Sequence, residues 1–309
     1  MTELLQHLVN GLSVGTIYAL IALGYTMVYG VLQLINFAHG DVFMVGAYSG
    51  FYLANALGLA RSPSAAKAVA VFVGSMIICG LLGLAIERFA YRPLRARPRL
   101  TALITAIGVS FLLEYGFQLP SFRWLPFPFP PGPTPRFFPT PFARVEWTIA
   151  GVALSNYDVI SLGVAVALMA GLQVVVYRTR FGTAMRAVSF DPPVAGLMGI
   201  PVDRVIAGTF VLGSVLAAAA ALLVAGSRPR IDPLMGLWPG LKAFVAAVLG
   251  GIGSVPGAMV GGLVLGLAEE LVAGYTSSSY RDAIAFALLI AVLLLKPEGL
   301  FGRPRPEKV

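Results

Sequence analysis

The chain has almost no residues from which a metal site, a disulfide bond or a catalytic group could be built. Cys79 is its only cysteine, and His7 and His39 are its only histidines. A single cysteine excludes an intrachain disulfide, and two isolated histidines exclude the His and Cys clusters that hold zinc. His39 also lacks a neighbouring nucleophile of the kind found in hydrolases. We therefore predict that the chain is not an enzyme and that it carries no metal or cofactor.

Lysine is also rare, and none of the four lysines belongs to a phosphate-binding loop. The GxxxxGK[ST] pattern, whose backbone amides cradle the phosphates of ATP, does not occur in the sequence. The apolar segments also lack the rows of paired acidic residues that often relay protons or sodium ions. If the chain moves a solute against its gradient, we expect the energy to come from another subunit.

Charged residues make up only 12% of the chain, whereas hydrophobic residues make up 58%. A soluble domain of this length could not hide so much apolar surface from water. Several uncharged runs have about the 20 residues that cross a bilayer as a helix. The clearest runs are Val42–Ala60, Ala68–Ile86, Val159–Tyr177 and Val205–Ser227. The sequence therefore predicts an all-α, polytopic transmembrane helix bundle with about eight or nine membrane segments, some of them broken or re-entrant. It should form one domain over residues 1–309.

The net charge of +8 is concentrated in three Arg- and Lys-rich segments rather than spread over a surface suited to nucleic acid. These segments are Arg88–Arg99, Arg178–Arg204 and Lys296–Lys308. Because cytoplasmic loops of membrane proteins are enriched in Lys and Arg, we expect all three in the cytoplasm. The C-terminus would then be cytoplasmic and the N-terminus outside. The bilayer, and not a nucleic acid, is the expected partner.

The first apolar run ends in the sequence INFAHGD, whose polar and ionisable groups do not belong in hydrocarbon. Polar groups at membrane depth must face protein or a water-filled cavity, and ionisable ones there are candidates for function. Two interpretations stay open: a break between two helices inside the membrane, or a short cytoplasmic turn before the next helix. On the first interpretation, the candidate translocation-path residues are Asn36, His39, Gly40 and Asp41.

A second candidate break is the sequence GGIGSVPG, within the glycine-rich stretch Pro239–Tyr275. Because the second basic segment and the tail are both expected in the cytoplasm, an even number of membrane crossings must separate them. The glycine-rich stretch should therefore enter the membrane and return as a hairpin. Half-helices that meet at Gly and Pro expose backbone groups to substrates in transporters. A flexible packing hairpin is the other interpretation. The candidate path residues in this stretch are Gly250, Gly251, Gly253 and Ser254.

Residues 119–148 contain a stretch rich in proline and aromatic residues that we expect outside the membrane. Nine prolines between Leu119 and Phe142 exclude a helix or a central strand, so a stiff, extended external loop is predicted. This loop would either dock an external partner or cover the membrane interface with its aromatic rings. Glu114, just before it, is expected near the outer interface.

Residues 178–204 form the longest charged interruption between two apolar spans. Asp191 is a good helix N-cap, Pro192 suits the first helical position, and Gly199 can supply the left-handed residue that ends a helix. The pattern predicts a short helix over Pro192–Met198. A capped helix that projects from a cytoplasmic loop can sit in a groove of an ATPase. An ordinary loop with an incidental helical turn is the other interpretation.

Four stretches, in order along the chain, resemble the branched-chain amino-acid ABC transporter permeases of the LivH type. They are NGLSVGTIYALIALGYTMVYGVLQLINFAHGD (Asn10–Asp41), ERFAYRPLR (Glu87–Arg95), RFGTAMRAV with MGIPVDRVIAGTFVLGS (Arg180–Val188 and Met198–Ser214), and GLKAFVAAVLGGIGSVPGAMVGGLVLGLAEEL (Gly240–Leu271). The resemblance implies an inner-membrane subunit that imports branched-chain amino acids by alternating access. It also implies a second, LivM-like permease, two cytoplasmic ATPase subunits and a periplasmic substrate-binding protein.

The resemblance further implies that Arg186–Ile200 couples the membrane helices to the ATPases. Its candidate coupling residues are Arg186, Asp191, Pro192, Val194, Gly196 and Gly199. The Asp191-Pro192-Pro193 sequence departs from the family pattern, and the resemblance assigns no substrate contacts. Two alternatives stay open: an ABC importer for amides, urea or other small solutes, and an ion-coupled carrier that acts alone.

Overall fold

The computed structural model describes residues 2–34, 36–95, 97–122, 129–149 and 151–302. Over these residues the chain is predominantly helical, as the sequence predicts. The helices in chain order are α1 (Thr2–Leu32), α2 (His39–Ala56), α3 (Ala65–Ala85), α4 (Arg99–Gln118), α5 (Asn156–Arg178), α6 (Arg180–Phe190), α7 (Pro192–Leu197), α8 (Val202–Ser227), α9 (Leu237–Gly250), α10 (Val255–Tyr275) and α11 (Arg281–Leu295). A π-helical turn over Ile86–Tyr91 and a 3-10 turn over Arg92–Leu94 extend α3, and a second 3-10 turn, Ser278–Tyr280, precedes α11.

Four short strands lie at one end of the bundle, which we call the strand end. β1 (Arg136–Phe137) pairs antiparallel with β4 (Arg230–Ile231), and β2 (Glu146–Ile149) forms a hairpin with β3 (Val152–Ser155). The sequence excluded a helix and a central strand over Leu119–Phe142; β1 is a two-residue edge strand within that stretch, which proline permits, and β2 lies after it. Residues 123–128 of that loop lie outside the described residues.

Seven helices of the described residues are long and apolar enough to cross a membrane. They are α1, α3 with the turns that follow it, α4, α5, α8, α10, and α11 with the turn before it. The shorter helices α2 and α9 pack among them. A multi-pass membrane bundle is therefore confirmed, and α2 and α9 are the two helices that begin inside it.

Helices α1–α4 and α8–α11 form two halves with the same order of elements and opposite directions. In each half a long first helix is followed by a non-helical stretch and a shorter second helix. The third helix of each half packs along the first helix of the other, α3 on α8 and α10 on α1. Inverted repeats of this kind are common in transporters, where substrate sites lie at the repeat interface.

Small residues allow the helices of the two halves to approach closely. Gly24 of α1 and Gly213 of α8 meet where these two helices cross, and a Cβ atom on Gly213 would lie 3.3 Å from the Gly24 carbonyl oxygen. The glycine pairs at small-xxx-small spacing are also used in this way. Gly11 and Gly15 contact α10, Gly46 and Gly50 contact α8, and Gly257 and Gly261 contact α9.

The opposite end of the bundle carries most of the described arginines, and we call it the basic end. α6, α7 and the start of α8 lie there, as do the turn between α9 and α10 and the end of α11. The end of α1 joins two of these elements. The Ser189 hydroxyl of α6 donates to the Gly30 carbonyl oxygen of α1 at 2.5 Å, and the backbone of Gly30 packs against Gly253 in the turn between α9 and α10.

Candidate translocation and coupling sites

The break between α1 and α2 lies inside the bundle rather than at its surface. α1 ends at Leu32, yet α2 begins at His39 with its imidazole ring packed against Gly24 of α1. Gly24 lies eight residues before the end of α1, so the chain turns back by about 12 Å before α2 starts. The structure therefore places residues 36–41 inside the bundle, and residue 35 lies outside the described residues. A turn on the surface of the bundle does not fit this arrangement.

The second half contains a matching return before α9. After α8 ends at Ser227, residues 228–236 pass through β4 and lead back into the bundle, where α9 begins at Leu237. Gly236 contacts Gly40 of α2, and Gly240 in the first turn of α9 also packs on Gly40. The N-terminal ends of α2 and α9 therefore lie side by side within the bundle. Both ends carry partial positive charge from their helix dipoles.

Polar side chains surround this pair of helix starts. The Tyr91 hydroxyl donates to the Asn36 side-chain oxygen at 3.0 Å, and the Ser110 hydroxyl donates to the Asp41 carboxylate at 2.5 Å. The rings of Tyr25 and His39 meet edge to face with centroids 4.7 Å apart. Asn36, His39 and Asp41 are 4%, 1% and 3% exposed, so protein encloses these three groups on all sides in this chain.

The GGIGSVPG sequence forms the turn between α9 and α10, as the hairpin prediction requires. Gly251 and Gly253 adopt positive φ angles of 103° and 95°, and the Ser254 hydroxyl caps α10 by accepting from the Gly257 amide at 3.1 Å. The turn lies at the basic end, where the backbone amides of Leu300 and Phe301 donate to the carbonyls that end α9. The structure thus separates the two groups of candidate path residues: Asn36 to Asp41 lie deep in the bundle, and Gly250 to Ser254 lie at its end.

The coupling segment contains the short capped helix that the sequence predicts. The Asp191 carboxylate accepts a hydrogen bond from the Val194 amide at 3.1 Å, Pro192 begins the helix, and Gly199 follows with a φ of 81°. The helix ends at Leu197, one residue earlier than expected. The arm before it is itself a helix, α6, which the sequence analysis did not predict. The Thr179 hydroxyl caps α6 by accepting from the Gly182 amide at 3.1 Å.

Arg186 anchors α6 to α5 instead of projecting from the segment. Its guanidinium donates to the Val176 carbonyl oxygen and lies 5.6 Å from the centre of the Tyr177 ring. Both partners belong to the last turns of α5. Arg186 therefore sets the angle between a membrane span and the coupling segment.

Three large apolar side chains on the coupling segment are almost fully exposed, and the sequence analysis missed them. Phe190 is 92% exposed, Leu197 is 87% exposed and Met198 is 78% exposed. Val194, which was identified from the sequence, is 52% exposed beside them. Their apolar character within a charged loop was a signal that the sequence already contained. We call these four residues the apolar patch.

A buried ion network between α9 and its neighbouring helices, which we call the Lys242 network, was also missed. The Lys242 ammonium of α9 lies 3.0 Å from a Glu269 carboxylate oxygen and 2.8 Å from an Asp282 oxygen. The Tyr18 hydroxyl donates to Glu269 at 3.0 Å. This network ties together α1, α9, α10 and the start of α11, whose residues are far apart in sequence.

Comparisons with known proteins agree with this architecture. Residues 7–293 match the family described as "Branched-chain amino acid transport system / permease component". The chain is 45% identical over 306 residues to the high-affinity branched-chain amino acid transport system permease protein BraD of Pseudomonas aeruginosa, covering 99% of this chain and 98% of that protein. It is 43% identical over 311 residues to the corresponding protein LivH of Escherichia coli K12, and the match covers 99% of this chain and 97% of LivH. It is 29% identical over 294 residues to a probable LivH permease of Methanocaldococcus jannaschii, and the match covers 92% of this chain and 88% of that protein.

Proposed function

This chain belongs to the family of branched-chain amino acid transport permease components, and we propose that it is the membrane subunit of an ABC importer for branched-chain amino acids. Substrate crosses the membrane by alternating access, and ATP is hydrolysed on separate subunits. The family match and the identity to two high-affinity branched-chain amino acid permeases over 99% of the chain support the substrate class. The apolar patch supports the dependence on a partner subunit.

The apolar patch is the single observation that carries the coupling assignment. Phe190, Leu197 and Met198 stand on a segment that lies between the membrane-spanning helices α5 and α8 and outside both of them. Exposed apolar residues that project together into water mark protein interaction sites. We assign the patch to the ATPase, with α7 seated in a groove of that subunit. Asp191, Pro192, Gly196 and Gly199 fix the shape of α7, and Arg186 ties the segment to α5.

The paired starts of α2 and α9 are the proposed substrate-facing element of the translocation path. An amino acid carries a carboxylate, which the positive ends of two half-helices attract at membrane depth. It also carries an ammonium group, for which Asp41 in the first turn of α2 supplies a carboxylate. Because protein encloses these groups in the structure, the path opens only when the two halves move apart. The proposed path residues are Asn36, His39, Gly40 and Asp41 at depth, and Gly250, Gly251, Gly253 and Ser254 at the basic end.

The proposed assembly contains this chain, a second LivM-like permease, two ATPase subunits and an external substrate-binding protein. The basic end faces the cytoplasm, because cytoplasmic segments are rich in Arg and Lys. The N-terminus and the β-strands then face the outside. The strand end is the side on which the binding protein delivers its amino acid.

The test is to purify the tagged chain in mild detergent from its own membranes and identify what copurifies. A second preparation carries a Gly/Ser linker in place of residues 186–200. Copurification of a P-loop ATPase pair and a second permease with the native chain, and loss of the ATPases alone from the linker variant, supports both the importer and the coupling segment. A native chain that purifies alone and still carries leucine into vesicles would overturn the proposal in favour of an ion-coupled carrier.

A further inference from the structure

A cluster of four charged side chains lies at the basic end, between the last turns of the α3 extension and the start of α8. Arg95 donates to Glu87 through one guanidinium nitrogen and to Asp203 through another, the second at 2.6 Å. Arg92 lies 3.3 Å from Glu87 and 3.8 Å from Asp203. Two positive and two negative groups thus balance one another. We call this group the Glu87 cluster.

Glu87 is the buried centre of the cluster. Its carboxylate is 0% exposed and pairs with the two arginines. A buried carboxylate that loses its partners is left as an uncompensated charge, so its contacts with Arg92 and Arg95 are strongly held. Asp203 is 60% exposed and pairs with the two arginines on the solvent side of the cluster. It lies six residues after the end of α7.

The same π-helical turn that holds Glu87 also reaches the break between α1 and α2. Tyr91 closes that turn, and its hydroxyl donates to the side-chain oxygen of Asn36 at 3.0 Å. The Tyr91 ring packs on Phe210 of α8, with ring centres 5.1 Å apart. Tyr91 is 2% exposed and Asn36 is 4% exposed. The π-helical turn is therefore linked to Asp203 at the start of α8 by way of Arg92 and Arg95, and to the break between α1 and α2 by Tyr91.

From these contacts we propose that the Glu87 cluster and Tyr91 transmit movement of α7 to the break at Asn36. This inference rests on the proposed coupling role of α7. Movement of α7 displaces the start of α8, Asp203 carries the displacement to Arg95 and Arg92, and the π-helical turn carries it to Asn36. Asp203, Arg95, Glu87 and Tyr91 are positioning residues, because none of them touches substrate in this arrangement. If these contacts only stabilise the fold, changing the Tyr91 hydroxyl or the Asp203 carboxylate would leave the coupling of ATP hydrolysis to transport unchanged.

The experiment measures leucine transported per ATP hydrolysed, in proteoliposomes that contain the complete complex and an excess of its binding protein. The test variants are Asp203→Asn, which removes the negative charge that pairs with Arg95 and Arg92, and Tyr91→Phe, which removes one hydrogen bond. Both leave the side-chain shape almost unchanged. We expect each to lower the ratio by roughly fivefold, as the loss of one buried or charge-assisted hydrogen bond implies. ATP hydrolysis should continue, because α7 and the apolar patch are intact.

Two controls make the result specific. Tyr18→Phe removes a second buried tyrosine hydrogen bond of the same length, to Glu269, in the Lys242 network, which belongs to helices other than the coupling segment. We expect it to keep the native ratio. Asp203→Glu retains the carboxylate and should restore most of the coupling. Each variant is first checked for native yield and for native amounts of bound ATPase, so that misfolding is recognised separately.

The outcomes separate this inference from the proposed function. If the native complex transports leucine with ATP and both test variants keep the native ratio, the transmission path is wrong and the importer assignment stands. If Tyr18→Phe lowers the ratio as much as Tyr91→Phe does, the effect is a general loss of packing and the path is again wrong. If no ATPase accompanies the native chain, the proposed function itself fails.

Discussion

The backbone of Gly40 at the start of α2 lies directly against the backbone of Gly236 ahead of α9. A Cβ atom on Gly40 would lie 2.7 Å from the Gly236 carbonyl oxygen and 3.3 Å from the Cα atom of Gly240. The two helices that begin inside the bundle can therefore approach only because neither position has a side chain. This contact joins the two inverted halves at the point where the proposed path residues lie deepest.

Gly40→Ala is expected to disturb this contact. The added methyl group meets the backbone of Gly236 and Gly240, which cannot give way as a flexible side chain would, so we expect a loss of about 1–3 kcal/mol of stability and a clear fall in leucine uptake. The matched control is Gly108→Ala in α4, where the added atom meets nothing within 4 Å. Thermal unfolding in detergent should distinguish the two variants, and equal midpoints would contradict the proposed contact.

Gly196→Pro should abolish uptake while the protein remains in the membrane. Proline inside α7 removes a helix hydrogen bond and clashes with the preceding turn, at a cost of about 3 kcal/mol or more to a helix of six residues. Gly196→Ala is the control, because its Cβ atom would meet only a Val202 methyl group at 3.9 Å. Uptake of labelled leucine by membrane vesicles gives the readout. Normal transport by the proline variant would remove α7 from the coupling mechanism.

Phe190→Ala should weaken binding of the ATPase without unfolding the chain. Phe190 is 92% exposed, so its removal costs little in the isolated subunit. If it is an anchor of the interface, the affinity should fall roughly thirtyfold, as for a central aromatic contact worth about 2 kcal/mol. Phe89→Ala is the control, since Phe89 is 78% exposed but stands outside the coupling segment. Titration of purified ATPase against both variants measures the difference, and equal affinities would place the interface elsewhere.

Lys242→Met should destabilise the bundle strongly. The change leaves Glu269, which is 1% exposed, without its ammonium partner. Breaking one side of a buried ion pair costs about 3–5 kcal/mol. The double variant Lys242→Met/Glu269→Gln should recover part of this loss, because it removes the unpaired charge.

The control for the Lys242 prediction is Glu146→Gln, which breaks the exposed pair between Arg144 and Glu146. Exposed pairs contribute about 0–1 kcal/mol, so this variant should unfold close to the native temperature. A Lys242→Met protein with native stability would show that the Lys242 network does not hold the helices together.

Several features could be read from the sequence because they depend on neighbours along the chain. The capped start of α7 needs only Asp191 and Pro192, and its end needs only Gly199. The hairpin between α9 and α10 needs glycines that accept positive φ, at Gly251 and Gly253. Other features of the same segments escaped prediction. α6 was missed because its amphipathic pattern is short and lies among charged residues, and Arg186 was assigned to coupling without any indication that it bonds to α5.

The amino-acid sequence alone determined that this is a multi-pass helical membrane protein, and four stretches of it resemble the branched-chain amino acid permeases. The physical reason for the first is that a bilayer demands about 20 consecutive apolar residues per span, a requirement that is local and visible in composition. Only the tertiary structure decided that α2 and α9 start side by side inside the bundle, that Arg95 joins Glu87 to Asp203, and that Tyr91 meets Asn36. These contacts join residues between 55 and 196 positions apart. They arise from the inverted packing of two halves, which no local pattern of residues specifies.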